Sequence, residues 1–464
     1  MATLSEYRIV IGAHACFNER RAAEFIRANA RLVTGVLLPL VSDREPPVPC
    51  EIAVGRTNRE SADDIVFARA ENRLWEYEIR LAGERLYLAG LGLEPAEKKP
   101  FSSYAYYNDG AYGTVFAAYR FVEEVLGYRF LFSPYTEIPV RRAEDIVIDR
   151  TAEFAYTTER LDAELPPVVP GAALYSVPCA WALNWNMTAM ILKTASGKLA
   201  VIDGGRIWDA DHMVRILEHL SGGKKPVIGA WFFSHLHNDH YGLVEKLATD
   251  EALRSRVTVE HIYAHPLERE FYTDLAKDKE TRAGEVLDML HRAGEIFGAE
   301  YHTVETGDVI PFEEFEFHVL HVPEPVPAGY MDINDSSVVY KMIWEGKESV
   351  LLLGDAERVC DADLLKNHAA ELESDLVQVG HHGCGNVSRE CYEKTKGKAF
   401  LFQTGERFWY GDNGEGLNTL NAGVIRTRLY LKEMGVPDER ILRDTDGILT
   451  FRFPMGWKKV SQNP

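Results

Sequence analysis

The chain has 464 residues, 46% of them apolar and 26% charged, and its 36 glycines and 21 prolines are spread along its length. These proportions exclude disordered and fibrous proteins, and the length predicts two or three packed domains rather than one small module. The 71 acidic and 51 basic residues give a formal net charge of −20, which repels phosphate backbones and anionic lipid. We therefore do not expect binding to long nucleic acids.

The first third of the chain alternates strand-like and helix-like patterns. Strands are predicted at 6–12, 51–57, 77–90 and 145–150, and helices at 22–38 and 113–127. This pattern predicts a smaller α/β domain over residues 1–155. The periodicity then stops over 151–171, a stretch that ends in Pro166, Pro167 and Pro170, so we predict a linker there.

A second pattern runs over residues 170–464. It begins with two apolar strands around the turn Ser196-Gly197, followed by a helix at 213–220 and a continuously apolar strand at 227–235. Seven further strand-like segments follow, with helices predicted near 280–297, 358–372 and 420–434. Many strands with interspersed helices predict stacked sheets covered by helices.

The six cysteines have no paired spacing, which argues against a disulfide framework or a Cys-x-x-Cys zinc site and suits a reducing compartment. The amino-terminal residues show no basic leader region, and no window reaches the roughly 18 apolar residues of a membrane span. We predict a cytoplasmic protein without a membrane association.

Three histidines and an aspartate lie close together in the segment 234–242, Ser-His-Leu-His-Asn-Asp-His-Tyr-Gly. Imidazole nitrogens and a carboxylate oxygen are the ligands that zinc prefers. His235 and His237, two residues apart beyond a strand end, can face the same way and hold one ion. Asp239 and His240 lie on the following turn and can reach a second ion.

Two later strand ends carry residues of the same chemistry. Asp355 follows Gly354 at the end of the apolar segment 350–353, where its carboxylate can point out of the sheet edge. His381 and His382 follow the strand-like segment 375–379 in the same way. A lone Gly-Asp is usually a turn and a lone pair of histidines is often on the surface, but three such strand ends together predict a metal site.

These motifs resemble the metallo-β-lactamase superfamily, whose five motifs are an early Asp, His-x-His-x-Asp-His, a middle His, a bridging Asp and a terminal His. Asp203, the cluster at 235–240, Asp355 and the pair His381-His382 match four of them in order. The resemblance covers residues 170–464. It implies an αββα sandwich and a hydrolase that uses one or two zinc ions, with Mn or Fe as possible substitutes.

One branch of that superfamily is especially similar. The segments 334–339, 353–357, 379–383 and 442–447 look like the hydrolase domain of competence-type DNA-uptake proteins, a pattern shared with bacterial phosphorylcholine esterases. As in that branch, Asn334 occupies the region of the missing middle histidine. The nearest histidines, His318 and His321, are interpreted as structural or surface residues. Cys384 follows His-His-Gly where relatives commonly have Ser, and we predict that it packs in the interior or lies behind the ligands and is not a nucleophile.

The resemblance also implies roles for individual residues. His235, His237 and Asp355 would hold the first metal ion. Asp239, His240, Asp355 and one of His381 and His382 would hold the second, with His382 preferred as the ligand and His381 beside the substrate. Asp239 and His381 are the candidate catalytic residues, and the nucleophile would be a water whose pKa the metal lowers to about 7. Asp203 and Asn334 would lie behind the ligands, with Asp203 accepting a hydrogen bond from a ligand imidazole.

The amino-terminal domain resembles the non-catalytic α/β domain that precedes the barrel of α-glucuronidases and hexosaminidases. The segments 51–58, 86–90 and 112–130 carry this similarity, and glycosidase activity is not implied. Tyr104, Tyr106, Tyr107 and Tyr112 could stack on sugar rings, although buried tyrosines are more common.

The predicted substrate is a phosphodiester or a phosphorylated saccharide, since the resembling branch favours phosphodiesters and the acidic surface disfavours long nucleic acids. Two alternatives stay open. One is hydrolysis of a lactone, thioester or amide on the same scaffold, and the other is a non-catalytic, metal-stabilised glycan-binding protein. The sequence indicates neither the physiological substrate nor the oligomeric state.

Overall fold

The computed structural model divides the chain into two compact units. It describes residues 2–93, 112–129, 136–181, 185–275, 282–324, 332–412, 416–420 and 423–456. The first unit comprises Met1–Arg160 and Tyr410–Asn421, and the second comprises Leu161–Trp409 and Ala422–Pro464. The predicted domain 170–464 includes Tyr410–Asn421, and the predicted domain boundaries stay a prediction.

The first unit is built on one mixed sheet. Its strands are β1 (Arg8–Ile11), β2 (Leu40–Ser42), β3 (Glu51–Val54), β4 (Tyr77–Ala82), β5 (Arg85–Gly90) and β6 (Phe154–Tyr156). They lie in the order β2-β1-β3-β5-β4-β6, with β1, β2, β3 and β5 parallel and β4 antiparallel to both of its neighbours. Helices α1 (Phe17–Thr34) and α3 (Tyr112–Glu124) pack together against this sheet, and two short helices are α2 (Arg59–Ala62) and α4 (Thr158–Ala163).

Helix α1 differs from its prediction at both ends. The predicted helix ran over 22–38, but the observed helix begins at Phe17 and ends at Thr34. Gly35 has a φ of 75° and its N–H bonds to the carbonyl of Arg31, which closes the helix with a left-handed residue. The apolar residues after Gly35 follow the helical spacing without being helical.

The predicted strand at 145–150 is wrong. Two 3₁₀ turns, Ala143–Asp145 and Arg150–Ala152, flank this segment, and Val147 makes only an isolated bridge to Thr3. The Asp149 carboxylate accepts the N–H of Thr151 and so favours a turn over a ladder. The predicted linker at 151–171 contains β6 and α4 in its first half, and only residues 164–172, around the prolines, lack regular structure.

The second unit contains two sheets. The first has strands β7 (Ala173–Ser176), β8 (Ala189–Lys193), β9 (Leu199–Asp203), β10 (Val227–Phe232), β11 (Thr258–Val259), β12 (His261–Ala264), β13 (Glu300–Thr303) and β21 (Leu449–Arg452). The second has β14 (Val309–Phe312), β15 (Phe315–His321), β16 (Val339–Trp344), β17 (Glu348–Leu352), β18 (Leu376–Gln378), β19 (Ala399–Phe402) and β20 (Ile441–Arg443). Their orders are β13-β12-β10-β9-β8-β7-β21, with β11 beside β10, and β14 through β20 in sequence.

Ten helices of the second unit accompany these sheets within the described ranges. They are α5 (Ala210–Leu220), α6 (Gly242–Thr249), α7 (Glu251–Arg254), α8 (Arg269–Leu275), α9 (Ala283–His291), α10 (Ala293–Ile296), α11 (Arg358–Asn367), α12 (Arg389–Thr395), α13 (Glu406–Tyr410) and α14 (Val424–Glu433). The division between the two units falls inside α4, after Arg160, and again at the last residue of α13. The predicted helix at 280–297 is two helices separated at Arg292, and the one at 358–372 ends at Asn367.

The two sheets face each other across one apolar core. Phe232 of β10 stacks on Phe317 of β15 with ring centroids 3.9 Å apart, and Tyr340 of β16 packs edge-on against the same ring. The opposite face of the first sheet is covered by helices, with Val214 of α5 and Val286 of α9 in its core. Helices α11 and α12 lie on the outer side of the second sheet. This αββα arrangement confirms the predicted fold class of the unit.

Within the described residues, the structure contains no helix that combines the length and the apolarity needed to cross a bilayer.

Candidate metal centre

The predicted ligands lie where several strands of the second unit end. Strand β10 is buried and ends at Phe232, two residues before Ser234 begins the histidine-rich loop. Asp203 is the last residue of β9, while Asp355 and His381 follow β17 and β18 within three residues. The carboxyl ends of neighbouring parallel strands meet at one edge of a sheet, which explains how distant segments of the chain come together.

His235, His237 and Asp355 form one group of potential ligands. The Nε2 of His235 lies 3.1 Å from the Nδ1 of His237 and 3.9 Å from the Oδ2 of Asp355. One ligand atom from each of the three lies within 4.8 Å of the others. His235 and Asp355 are buried, and His237 is partly exposed.

Asp239, His240 and His382 form a second group. The Nε2 of His382 lies 3.5 Å from the Oδ2 of Asp239, and the Nε2 of His240 lies 4.0 Å from the Oδ1 of Asp239. Both imidazoles are almost completely buried. The structure thus groups His382, rather than His381, with Asp239 and His240.

Asp355 lies between the two groups. Its Oδ1 is 3.2 Å from the Nε2 of His240, and its Oδ2 is 3.4 Å from the Nε2 of His382. The same Oδ2 faces His235 of the first group. A carboxylate in this position can contribute one oxygen to each of two cations.

Gly354 allows the chain to turn Asp355 into the cluster. Gly354 has a φ of 53°, and a Cβ at this position would lie 2.7 Å from the Cβ of Ser234. Only glycine fits both the conformation and the space. The Ser337 hydroxyl accepts the N–H of Asp355 at 2.9 Å and fixes the backbone there.

Asp203 lies behind the ligands. Its Oδ2 is 2.9 Å from the Nδ1 of His240, and its carboxylate also accepts the N–H and the hydroxyl of Ser234. The indole of Trp231 donates to the Asp203 carbonyl. These contacts hold the His240 ring with Nε2 directed at Asp355.

Asn334 is buried at the start of a 3₁₀ turn, Asn334–Ser336. Its Oδ1 has no hydrogen-bond partner within the described ranges. The neighbouring Asp335 accepts the N–H groups of Val359 and Cys360 at the start of α11. This segment therefore supports the loop after β17, and a role for the Asn334 side chain behind the ligands stays a prediction.

His381 and His382 have left-handed backbones, with φ values of 48° and 55°. The Nδ1 of His381 lies 2.7 Å from the Oε1 of Glu357, and its Nε2 lies 3.8 Å from the Oδ2 of Asp355. The His381 side chain is 26% exposed, whereas that of His382 is 1% exposed. His381 thus lies at the solvent side of the cluster with its ring held by Glu357.

The donor set fits a divalent metal. The Nε2 atoms of His240 and His382 and the Oδ1 of Asp355 are buried and have no hydrogen-bond partner in the described part of the chain. Buried polar atoms are otherwise almost always hydrogen-bonded. Several unpaired atoms that point at one place therefore indicate a binding site for a cation. Nitrogen and carboxylate oxygen donors are those of zinc sites.

Comparison with known proteins gives the following relatives. ComE operon protein 3 of Bacillus subtilis (strain 168) is 27% identical over 184 residues, which make up 39% of this chain. The match covers 21% of that protein, so it spans about a fifth of the relative's length. No family model matches the chain.

Two solved structures are similar at low identity. The metallo-β-lactamase fold protein YhfI of Bacillus subtilis is 12% identical with a TM-score of 0.37, and yeast PDE1 is 10% identical with a TM-score of 0.38. Each match covers 60% of this chain and 99% of the other. The second unit is an αββα sandwich with the predicted motifs at its strand ends, which is the arrangement that the resemblance to the metallo-β-lactamase superfamily implied.

Protonation in this cluster of potential ligands follows burial and neighbouring charge. Burial holds the pKa of His235 well below its usual value and lowers the pKa of His237, so both rings are neutral. Burial also disfavours the imidazolium of His240 and His382, but the nearby carboxylates outweigh it and raise both pKa values, to about 9 for His382. These are Asp355 with Asp203 at His240, and Asp355 with Asp239 at His382. A bound cation would take over the charge that these two protons place between the carboxylates.

Three residues discussed in the sequence lie outside the cluster's contacts. His321 bonds to Asp363 at 2.6 Å, and His318 lies beside Glu316 on the surface. Cys384 accepts the side-chain amide of Asn186, and burial raises its pKa to about 12, so the thiol stays protonated. None of the three is placed to replace the missing middle histidine.

Sequence reasoning missed Glu357 and Arg206. Glu357 lies two residues after Asp355 in the segment already noted, and besides His381 it accepts the N–H and the side-chain amide of Asn386. Arg206 donates to Asp239 and Asn238 at 3.2 Å each. Its position three residues after Asp203, at the end of the same strand, was the signal available in the sequence.

Of the four tyrosines considered for sugar stacking, the structure describes Tyr112. Tyr112 is buried in α3 and donates to the Oδ1 of Asp412 at 2.6 Å, which agrees with the more common of the two interpretations, a buried tyrosine, and leaves no open face for a sugar. Tyr104, Tyr106 and Tyr107 lie outside the described residues. The proposed kinship of the first unit to a carbohydrate-hydrolase-associated domain stays a prediction.

Proposed function

We propose that the second unit is a metal-dependent hydrolase of a small phosphodiester, including a phosphodiester of a saccharide. The observation that carries this proposal is the pair of three-residue groups joined by Asp355. Two cations held a few ångströms apart suit hydrolysis of a phosphoryl group, because they can neutralise charge on its oxygens. The net charge of −20 favours a small substrate over a long nucleic acid.

Zinc is the proposed cation, in one or two positions. His235, His237 and Asp355 would hold the first ion, and Asp239, His240, His382 and Asp355 the second. When bound, such an ion supplies Lewis acidity and lowers the pKa of a water at the site towards about 7. The protein then needs no nucleophile of its own, in agreement with the protonated thiol of Cys384.

His381 is proposed as the residue that exchanges a proton with the substrate. Burial lowers its pKa, but the nearby Asp355 and the hydrogen bond to Glu357 more than compensate, so the pKa of His381 is raised. With its Nδ1–H donated to Glu357, the Nε2 of this ring is directed towards Asp355 at the open side of the cluster. From there it can protonate the departing alkoxide.

Arg206 and two tryptophans are proposed to bind the alcohol part of the substrate. The guanidinium of Arg206 lies 5.2 Å from the ring of Trp185 and 5.5 Å from that of Trp208, and it also contacts the ligand Asp239. The two indoles are 39% and 43% exposed, although large aromatic rings are usually covered. Exposed indoles beside a catalytic centre suit stacking on a sugar ring or another flat ring.

The first experiment is elemental analysis combined with turnover of bis(p-nitrophenyl) phosphate before and after chelation. The proposal expects one or two zinc equivalents at this centre, loss of turnover on chelation, and recovery on adding zinc. Asp355→Ala should remove the zinc of this centre and the turnover while the protein stays folded. His318→Ala, which changes a surface histidine outside the cluster, should change neither. Turnover that persists in the metal-free protein would contradict the proposal.

A panel of chromogenic lactones, thioesters and amides tests the alternative chemistry. The proposal expects the phosphodiester to be hydrolysed with the highest kcat/KM. If the zinc-loaded protein hydrolyses none of these compounds, the non-catalytic glycan-binding alternative replaces the hydrolase proposal.

The predicted cytoplasmic location stays a prediction from the cysteine pattern.

A further inference from the structure

A second set of metal-ligating side chains lies on the edge of the first sheet of the second unit. Strand β13 is the edge strand and pairs in parallel with β12, with His261 opposite Glu300 and Tyr263 opposite His302. Because side chains alternate along a strand, His261 and His302 come out on the same face as Glu300. This set shares no residue with the candidate metal centre.

The three side chains converge on one point. The Nδ1 of His261 lies 3.1 Å from the Nε2 of His302 and 3.7 Å from the Oε2 of Glu300. The Nε2 of His302 lies 3.8 Å from the same Oε2. In a tetrahedral zinc site, bond lengths of about 2.0–2.2 Å place neighbouring ligand atoms about 3.3–3.5 Å apart. The observed separations bracket that value, so small rotations of the side chains complete the geometry.

Packing fixes the His302 ring in this orientation. It stacks on Tyr263 with ring centroids 4.7 Å apart and planes within 15° of parallel, and Tyr263 stacks in turn on Phe232 of the core. A ligand whose ring is already held loses less conformational freedom on binding a cation. The fourth coordination position faces solvent, since both imidazoles are more than a third exposed.

We propose that His261, Glu300 and His302 bind one divalent transition-metal cation, which joins the edge strand β13 to β12. Two imidazoles with one carboxylate match the preference of Zn²⁺, and also of Ni²⁺ and Cu²⁺. An edge strand is held by one neighbour only, so a coordinate link across β12 and β13 reinforces the weaker side of the sheet. The cation stabilises the fold because it binds the folded state and not the separated strands.

The test measures zinc binding by equilibrium dialysis at a fixed free Zn²⁺ concentration, with elemental analysis of the protein. Four forms of the full chain are compared: wild type, Asp355→Ala, the double variant His261→Asn/His302→Asn, and the surface control His318→Asn. The double variant should bind one zinc equivalent fewer than wild type and the His318→Asn control. Asp355→Ala should keep the equivalent that the double variant loses. Because the double variant and Asp355→Ala should lose different zinc equivalents, failure of this site can be distinguished from failure of the proposed hydrolase centre.

Thermal melting tests the site without counting the zinc equivalents bound. Added Zn²⁺ should raise the melting temperature of Asp355→Ala, and the rise should disappear when the two histidines are also replaced in that background. Glu300→Gln should weaken the affinity for zinc at least several-fold. The proposal is overturned if the double variant binds as much zinc as wild type, or if zinc raises the melting temperature equally with and without the two histidines.

Discussion

Asp355 and Asp412 are both buried aspartates, but their surroundings differ. In the first unit, the Asp412 carboxylate accepts hydrogen bonds from Tyr112 and Tyr119 and pairs with Arg21 at 3.0 Å. In the second unit, Asp355 faces several imidazoles, and its Oδ1 has no hydrogen-bond partner among the described residues. A carboxylate with all its partners built in holds structure together, whereas one left incomplete among other ligands indicates a place for a cation.

The largest expected effects come from replacing each of these two aspartates by alanine. Asp355→Ala should lose zinc and reduce phosphodiester turnover to background, with the far-ultraviolet circular dichroism unchanged. Asp412→Ala removes the acceptor of two tyrosine hydroxyls and the ion pair with Arg21, and should destabilise the first unit by about 3–5 kcal/mol in denaturant unfolding. It should leave zinc binding intact. If Asp412→Ala instead removed zinc while the fold stayed stable, the contrast between the two carboxylates would fail.

Glu357→Gln should lower kcat by about 10²-fold or more without changing the zinc content, because it weakens the hold on His381. The pH dependence of kcat should shift as well, since Glu357 is one of the groups that raise the pKa of His381. His381→Gln should lower kcat to a similar extent, and the two changes together should cost little more than either alone. Equal kcat values for wild type and Glu357→Gln would remove His381 from the proton transfer.

Asp203→Asn should weaken zinc binding by about 10–100-fold, because the carboxylate that orients His240 loses its charge. Competition with a chromogenic chelator measures this change. The loss should appear in affinity, and turnover should recover at high zinc. Failure to recover at saturating zinc would assign Asp203 a structural role.

A smaller effect is expected at Asp444, in the segment 442–447 that the sequence singled out. Burial raises its pKa to about 7, and its carboxylate accepts the hydroxyl of Ser176 at 2.9 Å. A carboxyl whose pKa is higher in the folded state favours folding below its unfolded pKa, and this contribution is lost as the pH rises through about 7. Asp444→Asn should therefore gain stability over wild type by on the order of 1–2 kcal/mol between pH 5 and pH 8.

Melting curves of the metal-free protein at both pH values measure that gain. A stability difference between Asp444→Asn and wild type that does not change with pH would show that the carboxyl is not titrating. Asp444 would then resemble Asp412, a carboxylate whose hydrogen-bond partners are supplied by the protein.

The stacked sheets and the proximity of one group of side chains could be predicted from the sequence, because apolar strands that end in polar residues are visible in it. The group consists of His235, His237, Asp239, His240 and Asp355. The sequence-based prediction preferred His382 over His381 as the ligand without a geometric reason, since consecutive residues differ only in the direction that the folded backbone gives them. Left-handed backbones at both positions bury His382 in the cluster and leave His381 at its open side. No local pattern carries that information.

Errors in the sequence-based prediction arose where short-range hydrogen bonds overrule apolar spacing. The segment 145–150 alternates like a strand, but Asp149 caps a turn there. Glu357 and Arg206 were missed because an isolated Glu or Arg after a strand is common. Only their distances to the potential ligands in the folded structure indicate a role at the site.

Anomalous diffraction at the zinc absorption edge, from crystals equilibrated with Zn²⁺, locates the bound ions themselves. We expect a peak bounded by His235, His237 and Asp355, a peak bounded by Asp239, His240 and His382, or both, with Asp355 between them. Crystals saturated with zinc that show no peak within reach of Asp355 would rule out a metal centre at this place.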